Sequence, residues 1–429
     1  MSNPRTFRWQ MVTLATLFAG YTGYYICRSN LSVVAPLLKT ELADNGFTPN
    51  PVGLLQSVGI LVYALGKTTN GVMGDFLGGR LLFLLGMIVS AVCTVVFGLS
   101  SGLVVFVIVW AVNRYFQSMG WAGMVKVSSR WFPVRVQARV MGVLSMSYLL
   151  GDAFARLYLG LFVGEGWRVV FFVAAGTLGV LALASVFLLK SSPRDVGSEE
   201  PPASPDNVFG TAGEGYRPDN LRDLLLPLLR NLIFWLSCVI SFGLTLIREA
   251  FNAWTPTYLN EVAGLDVKPA AITSALFPLT GAVSVVLVGV LGDRLKWKHR
   301  LVLPAVAVAA VALGLLAAIP LRGQPVAALT LICAVSMFLI GPYSLFSGVI
   351  ALQLGGKRGS SAASGLIDSA GYLGAVLSGL GVEAVAERWG WQAAFGGLAG
   401  IAALTAVAAA GYWAAEEFRG RKGETSVKR

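Results

Sequence analysis

Charge is scarce in this chain. Asp, Glu, Lys and Arg make up 13% of its 429 residues, against 55% hydrophobic, about half the roughly 25% carried by a soluble globular domain. A water-soluble enzyme and a long soluble domain are both excluded. Histidine is nearly absent: His299 stands alone in a basic loop. The four cysteines, Cys27, Cys93, Cys238 and Cys333, each lie inside an apolar run, with no CxxC spacing and no histidine beside them. They read as core residues rather than disulfides or ligands. With no metal cluster, nucleophile-base pair or phosphate loop, no enzyme, metal or cofactor is expected. The first apolar run, from about Met11 to Leu38, is too long for a cleavable core and lacks a convincing cleavage site, so it reads as a span.

What the chain has is apolar length, with a mean hydropathy of +0.70. A transmembrane helix takes roughly 20 apolar residues, and the runs divide into twelve. Their centres fall near Tyr24, Tyr63, Gly86, Phe116, Leu150, Leu178, Thr245, Val283, Ala310, Phe338, Leu373 and Ala402. Fifty glycines suit close helix packing in lipid, where small residues let backbones approach. One long polar stretch, Ser191 to Asp223, carries Pro193, Pro201, Pro202, Pro205 and Pro218. It reads as a linker, giving an N-terminal six-helix half over 1–190, a cytoplasmic linker over 191–222 and a C-terminal six-helix half over 223–429.

A net charge of +11 would suit nucleic acid on a soluble protein, but in a membrane chain position decides its meaning. Lys39, Arg168, Lys268, Arg322 and Arg388 fall on one side of the spans, and most of the other lysines and arginines fall on the opposite side. The positive-inside rule then puts both termini in the cytoplasm and leaves a lipid bilayer, with no nucleic acid, as the environment. Short tails point to a bacterial cytoplasmic membrane, and a monomer suffices for the architecture. Six cations remain within or close to spans: Arg28, Lys67, Arg114, Lys126, Arg156 and Arg248.

The halves repeat. Gly23, Arg28 and Pro36 recur with the same spacing as Gly243, Arg248 and Pro256; GVMGDFLGGR from Gly71 recurs as GVLGDRLKWK from Gly289; Gly166, Trp167 and Phe171 recur as Gly390, Trp391 and Phe395. Such a repeat with a central linker is the layout of a transporter whose substrate sits where the halves meet. Arginine within a span costs on the order of 3 kcal/mol, so it normally faces a polar cavity. Two at equivalent repeat positions would converge, and two bidentate, permanently charged forks suit a tetrahedral dianion such as phosphate. The alternative is an internal salt bridge with Glu249, Asp152 or Asp368.

The D-x-x-G-G-R string from Asp75 to Arg80 and its second copy at Gly289 to Arg294 resemble the signature of the major facilitator superfamily. The resemblance implies that superfamily's fold, an all-α membrane protein of twelve helices in two pseudo-symmetric halves. The expected gating residues are Gly71, Asp75, Arg80, Gly289, Asp293 and Arg294: a latch in which the carboxylates pair with basic residues or helix N-termini in one conformation. The alternative reading is a folding and topology determinant.

A closer likeness lies in Tyr24-Tyr25-Ile-Cys-Arg28, Leu65-Gly66-Lys67, Asn113 through Gln117 to Trp121, Arg248 with Trp254-Thr-Pro256, and Gly341-Pro342. These strings resemble the organophosphate:phosphate antiporter family, which includes glycerol-3-phosphate, hexose-phosphate and glucose-6-phosphate transporters. That resemblance implies phosphate binding by Arg28 and Arg248, added charge from Lys67, and a pocket lined by the helix-one tyrosines. Departures are Ser29 where many relatives have lysine, Gly151 where some have histidine, Arg114 where glycine is usual, and Asp152 with Arg156 in helix five. The expected substrate-binding set is Arg28, Arg248, Lys67, Tyr24, Tyr25, Gln117, Trp121, Trp254, Asp152 and Asp368.

Several assignments stay open in the sequence. Lys67 reads equally as a pocket residue or as one snorkelling to the surface; Lys126, one turn before Arg130, reads as interfacial. Asp152 and Arg156, four apart, are expected to pair on one helical face. Asp368 has no cation within a turn. The expected activity is exchange of an organic phosphate, of sugar or glycerol type, for inorganic phosphate by alternating access. The alternatives are proton-coupled symport of an organic anion and a transporter-like membrane sensor of sugar phosphate.

Overall fold

The computed structural model describes residues 4–42, 48, 50–215, 217–294 and 299–427, with backbone alone at 267, 268, 271, 293, 299, 379, 380 and 419–427. Among the described residues there is helix and no strand. Two compact units form: Met1–Leu225 with Ala351–Ser369, and Leu226–Ile350 with Ala370–Arg429.

The first unit holds α1 (Pro4–Glu41), α2 (Pro51–Leu77), α3 (Gly79–Leu99), α4 (Leu103–Gln117), α5 (Met119–Trp131), α6 (Val134–Gly160) and α7 (Trp167–Leu188). Asn50 caps α2, its side chain accepting from the N–H of Gly53, with Pro51 at the first helical position, where a missing N–H costs nothing. The core is aromatic. Phe97 stacks on Phe106 and Phe171 at 4.5 Å each, with Trp167 edge-on, which ties α3, α4 and α7 together.

After α8 (Leu221–Leu229) come α9 (Leu232–Glu261), α10 (Val267–Thr273), α11 (Leu276–Arg294), α12 (His299–Ala318) and α13 (Pro325–Ser344). A π turn, Leu345–Ile350, leads into α14 (Ala351–Val427), which left-handed Gly356 and Gly390 turn along its length. The start of α14 belongs to the first unit, where it crosses α2 at backbone contact. A Cβ at Gly71 would lie 2.7 Å from the Cα of Gly365, so only glycine fits this crossing. One at Gly365 would lie 2.4 Å from the carbonyl of Lys67.

Nine helices among the described residues are long and apolar enough to cross a membrane. One run, Pro325–Ser378, is 54 residues long, enough for two spans, and contains the expected tenth and eleventh centres. The expected first and eighth are α1, whose polar string around Arg28 interrupts its apolar run, and α11, whose apolar part Leu276–Gly292 is shorter.

The polar stretch after α7 is folded against the first unit. The side chain of Glu200 is 5% exposed and accepts from Arg130, with Arg194 at 3.5 Å and Lys357 at 3.6 Å. Lys357 also reaches Glu214 at 2.7 Å, Arg358 reaches Asp219 at 2.9 Å, and the N–H of Val208 donates to the carbonyl of Leu354. The carboxylates fasten this stretch by ion pairs that residue counting does not reveal.

Candidate functional site

Helical spacing puts Tyr21, Tyr25 and Arg28 on one stripe of α1. The guanidinium of Arg28 lies 4.4 Å from the ring of Tyr25 and 4.5 Å from that of Tyr63 on α2, and its Nε donates to Gln117 Oε1 at 3.3 Å. Arg114, one turn before Gln117 on α4, donates to the same oxygen at 3.0 Å and lies 4.7 Å from the Tyr63 ring. Lys67 Nζ, one turn after Tyr63, is 5.3 Å from that ring and 6.0 Å from Trp121. Three cations therefore surround one tyrosine. Cation-π contacts of this kind are worth more when desolvated, about 2 kcal/mol against 0.5–1 at exposed sites.

Lys67 is buried and donates to Asp368 Oδ2 at 2.7 Å, with 3% and 5% of the two side chains exposed. It does not snorkel. The cation absent from the sequence neighbourhood of Asp368 comes from α2, and Thr68 donates to Ser369 alongside at 2.7 Å. Asp152 accepts from Arg156 at 3.1 Å, as their spacing predicts, and also from Ser29 on α1 at 2.5 Å. Trp121 packs at 5.6 Å from Tyr21 and 6.2 Å from Tyr148.

Tyr24 adjoins this cluster, its ring 5.9 Å from that of Tyr21. It is fully buried, its hydroxyl donates to the carbonyl of Phe83 at 2.6 Å, and its ring presses on Gly120. Its work here is to pack α1 onto α3 and α5.

The second unit contributes Arg248 on α9, whose guanidinium lies 4.2 Å from the ring of Tyr343 and donates to Glu249. Trp254, a turn and a half further on, lines a small apolar cavity with Phe251, Tyr258, Trp391 and Phe395. Arg28 and Arg248 thus share repeat position and an aromatic partner, each within its own unit.

The D-x-x-G-G-R string makes a tight corner. Gly78 has φ 92, which a residue with a Cβ rarely adopts, and a Cβ on Gly79 would lie 2.6 Å from the carbonyl of Gly123. Asp75 is fully buried. It accepts from Lys126 Nζ at 2.7 Å and from the N–H groups of Ser361 at 3.3 Å and Ala362 at 2.7 Å, just past the left-handed Gly356. Lys126 is fully buried too, rather than interfacial, and donates also to the carbonyls of Lys357 and Arg358. Arg80 donates to the carbonyls of Val186 and Leu189 at the end of α7, where the helix dipole favours a cation. In the second copy Gly289 is buried and Arg294 exposed; the side chain of Asp293 lies outside the described residues.

Tyr63 was missed by sequence reading. Its signal was its place one turn before Lys67, on the face that also carries the lysine. Arg114 was recognised as unusual without a role, and its position one turn before Gln117 was the available clue.

The sequence profile described as Major Facilitator Superfamily matches residues 17–379. A "probable hexose phosphate transport protein" of Chlamydia trachomatis is 26% identical over 429 residues, covering 96% of this chain and 93% of that one. The "membrane sensor protein UhpC" of Salmonella typhimurium is 26% identical over 407 residues, covering 93% and 90%. Among solved structures, the fucose:proton symporter FucP of E. coli superposes with a TM-score of 0.72 at 12% identity, covering 94% of this chain and 99% of that one.

Proposed function

The chain belongs to the major facilitator superfamily and is a multi-pass membrane transporter, and from that premise we propose that it exchanges an organic phosphate for inorganic phosphate by alternating access. The observation that carries the reading is the recurrence of a guanidinium beside an aromatic ring at equivalent repeat positions, Arg28 with Tyr25 and Tyr63, Arg248 with Tyr343. A permanently charged fork on each repeat fits a dianion better than a neutral solute. Similarity over nearly the whole chain to a protein named as a hexose phosphate transporter supports the same class of substrate. In this reading the protein works as a monomer in a bacterial cytoplasmic membrane, with both termini and the polar strap on the cytoplasmic side.

An empty carrier holding these cations resists closing, because a ligand shifts a conformational equilibrium only through its differential affinity for the two states. Exchange is then obligatory. Vesicles reconstituted with the protein and preloaded with phosphate take up labelled phosphate far faster than empty vesicles. Comparable uptake into empty vesicles driven by a proton gradient would support symport instead. The likeness to a named membrane sensor favours a second reading: tight binding of sugar phosphate with no exchange in the same vesicles would select it.

A further inference from the structure

In the first unit, a cavity of about 360 Å³ lies where the corner between α2 and α3 meets the polar strap. That volume falls within the roughly 300–1,000 Å³ of small-molecule sites. Arg80 comes from the corner, Arg130 from the end of α5, and Asp195 and Arg217 from the strap, so the described lining sets three arginines against one aspartate. Two of the arginines are held in place. Arg80 donates to the carbonyls of Val186 and Leu189, and Arg130 to the carboxylate of Glu200. Arg217 is exposed on the strap. Asp195 accepts from the backbone N–H groups of Ser191 and Ser192, which keeps that carboxylate engaged in its own turn.

The opposite wall is apolar. Leu81 and Leu84 of α3 line the cavity, and Leu81 is exposed. Ile88, Val92 and Leu99, all exposed, follow Leu81 along α3 at the spacing of one helical face. That helix is a membrane span, so the stripe faces hydrocarbon, and Leu81 belongs both to it and to the basic cavity. A soluble anion would use the cavity alone, whereas a phospholipid uses both. We propose that the cavity binds the headgroup of an anionic phospholipid, with the phosphate against the arginines and an acyl chain along α3. Guanidinium forks match phosphate oxygens, and basic pockets beside membrane spans take anionic headgroups. The site is separate from Arg28 and Arg248, and requires only that the chain spans a membrane. A bound headgroup ties the strap to the corner between α2 and α3.

Labelled dioleoyl phosphatidylglycerol and dioleoyl phosphatidylcholine share their acyl chains and differ in net charge. Each is titrated onto the purified full chain in neutral detergent. The wild-type protein is expected to bind the phosphatidylglycerol at least about tenfold more tightly, since one basic residue near a membrane surface is worth about fivefold in affinity. Arg217→Gln should lower that preference about fivefold. Arg322→Gln, which removes an exposed charge from the other unit, should leave it unchanged. The comparison of the two lipids on the wild type tests the proposal even if a variant fails to fold. Equal binding of both lipids overturns it, as does a preference that survives Arg217→Gln, or one that falls equally in the two variants and so reflects net charge alone. Glycerophosphoglycerol, the same headgroup without acyl chains, separates the sources of the phosphate. In large excess it should leave the labelled lipid bound, and displacement at concentrations similar to those of the lipid would assign the cavity to a soluble phosphate ester and overturn the lipid site.

Discussion

Lys67 and Asp368 lie 2.7 Å apart with almost no water around them. Neutralising one member of such a pair leaves a buried charge uncompensated, which costs about 3–5 kcal/mol, while replacing both by apolar residues is often neutral or stabilising. Asp368→Asn is therefore expected to lower the thermal midpoint in detergent by several degrees, and Lys67→Met combined with Asp368→Leu to restore most of it. Equal midpoints for the single and double variants would show that the pair is not buried as described. Neither partner was legible beside the other in the sequence, because 301 residues separate them and only the crossing of α2 with the start of α14 unites them. The pairing of Asp152 with Arg156 was legible, since one helical turn suffices to bring them together. What was not legible is Ser29 as a further donor to Asp152, which depends on how α1 meets α6. Tyr24 is a further case: the donation of its hydroxyl to the Phe83 carbonyl depends on how α1 meets α3.

Helices were the most legible feature because apolar length is a local property of the chain. The glycines in them divide sharply by what surrounds them. Gly71 meets backbone at 2.7 Å, whereas Gly176 on α7 has nothing within 4 Å of an added Cβ. Gly71→Ala should thus push α2 off α14, with a fall in thermal midpoint and in exchange rate. Gly176→Ala should hold or raise the midpoint, since alanine favours an open helix position by about 1 kcal/mol over glycine. Equal tolerance at both would mean that α2 and α14 do not cross at backbone contact. The polar strap makes a second prediction at this scale. Glu200 holds Arg130, Arg194 and Lys357, so Glu200→Gln should raise the rate of tryptic cleavage within 191–223 several-fold. An unchanged rate would show that the strap is fastened elsewhere. Composition alone gave proline and mixed charge, from which a buried carboxylate hub cannot be read.

At the scale of the whole molecule, the repeat makes the functional claim. Arg28 and Arg248 occupy matching positions in two units, each beside aromatic rings, and we propose that phosphate binding needs both. The sequence carried this furthest, because a charge inside a span is conspicuous and its recurrence at the same repeat position is more so. It could not supply the placement of Gln117 and Tyr63 against the arginines, which depends on side-chain positions across α1, α2 and α4. The most direct test is equilibrium binding of labelled inorganic phosphate to the purified full chain as wild type, Arg28→Lys and Arg248→Lys. Lysine keeps the charge and loses the bidentate fork, so each variant is expected to bind phosphate about 10-fold to 100-fold more weakly. Binding at wild-type affinity by either variant would contradict the account.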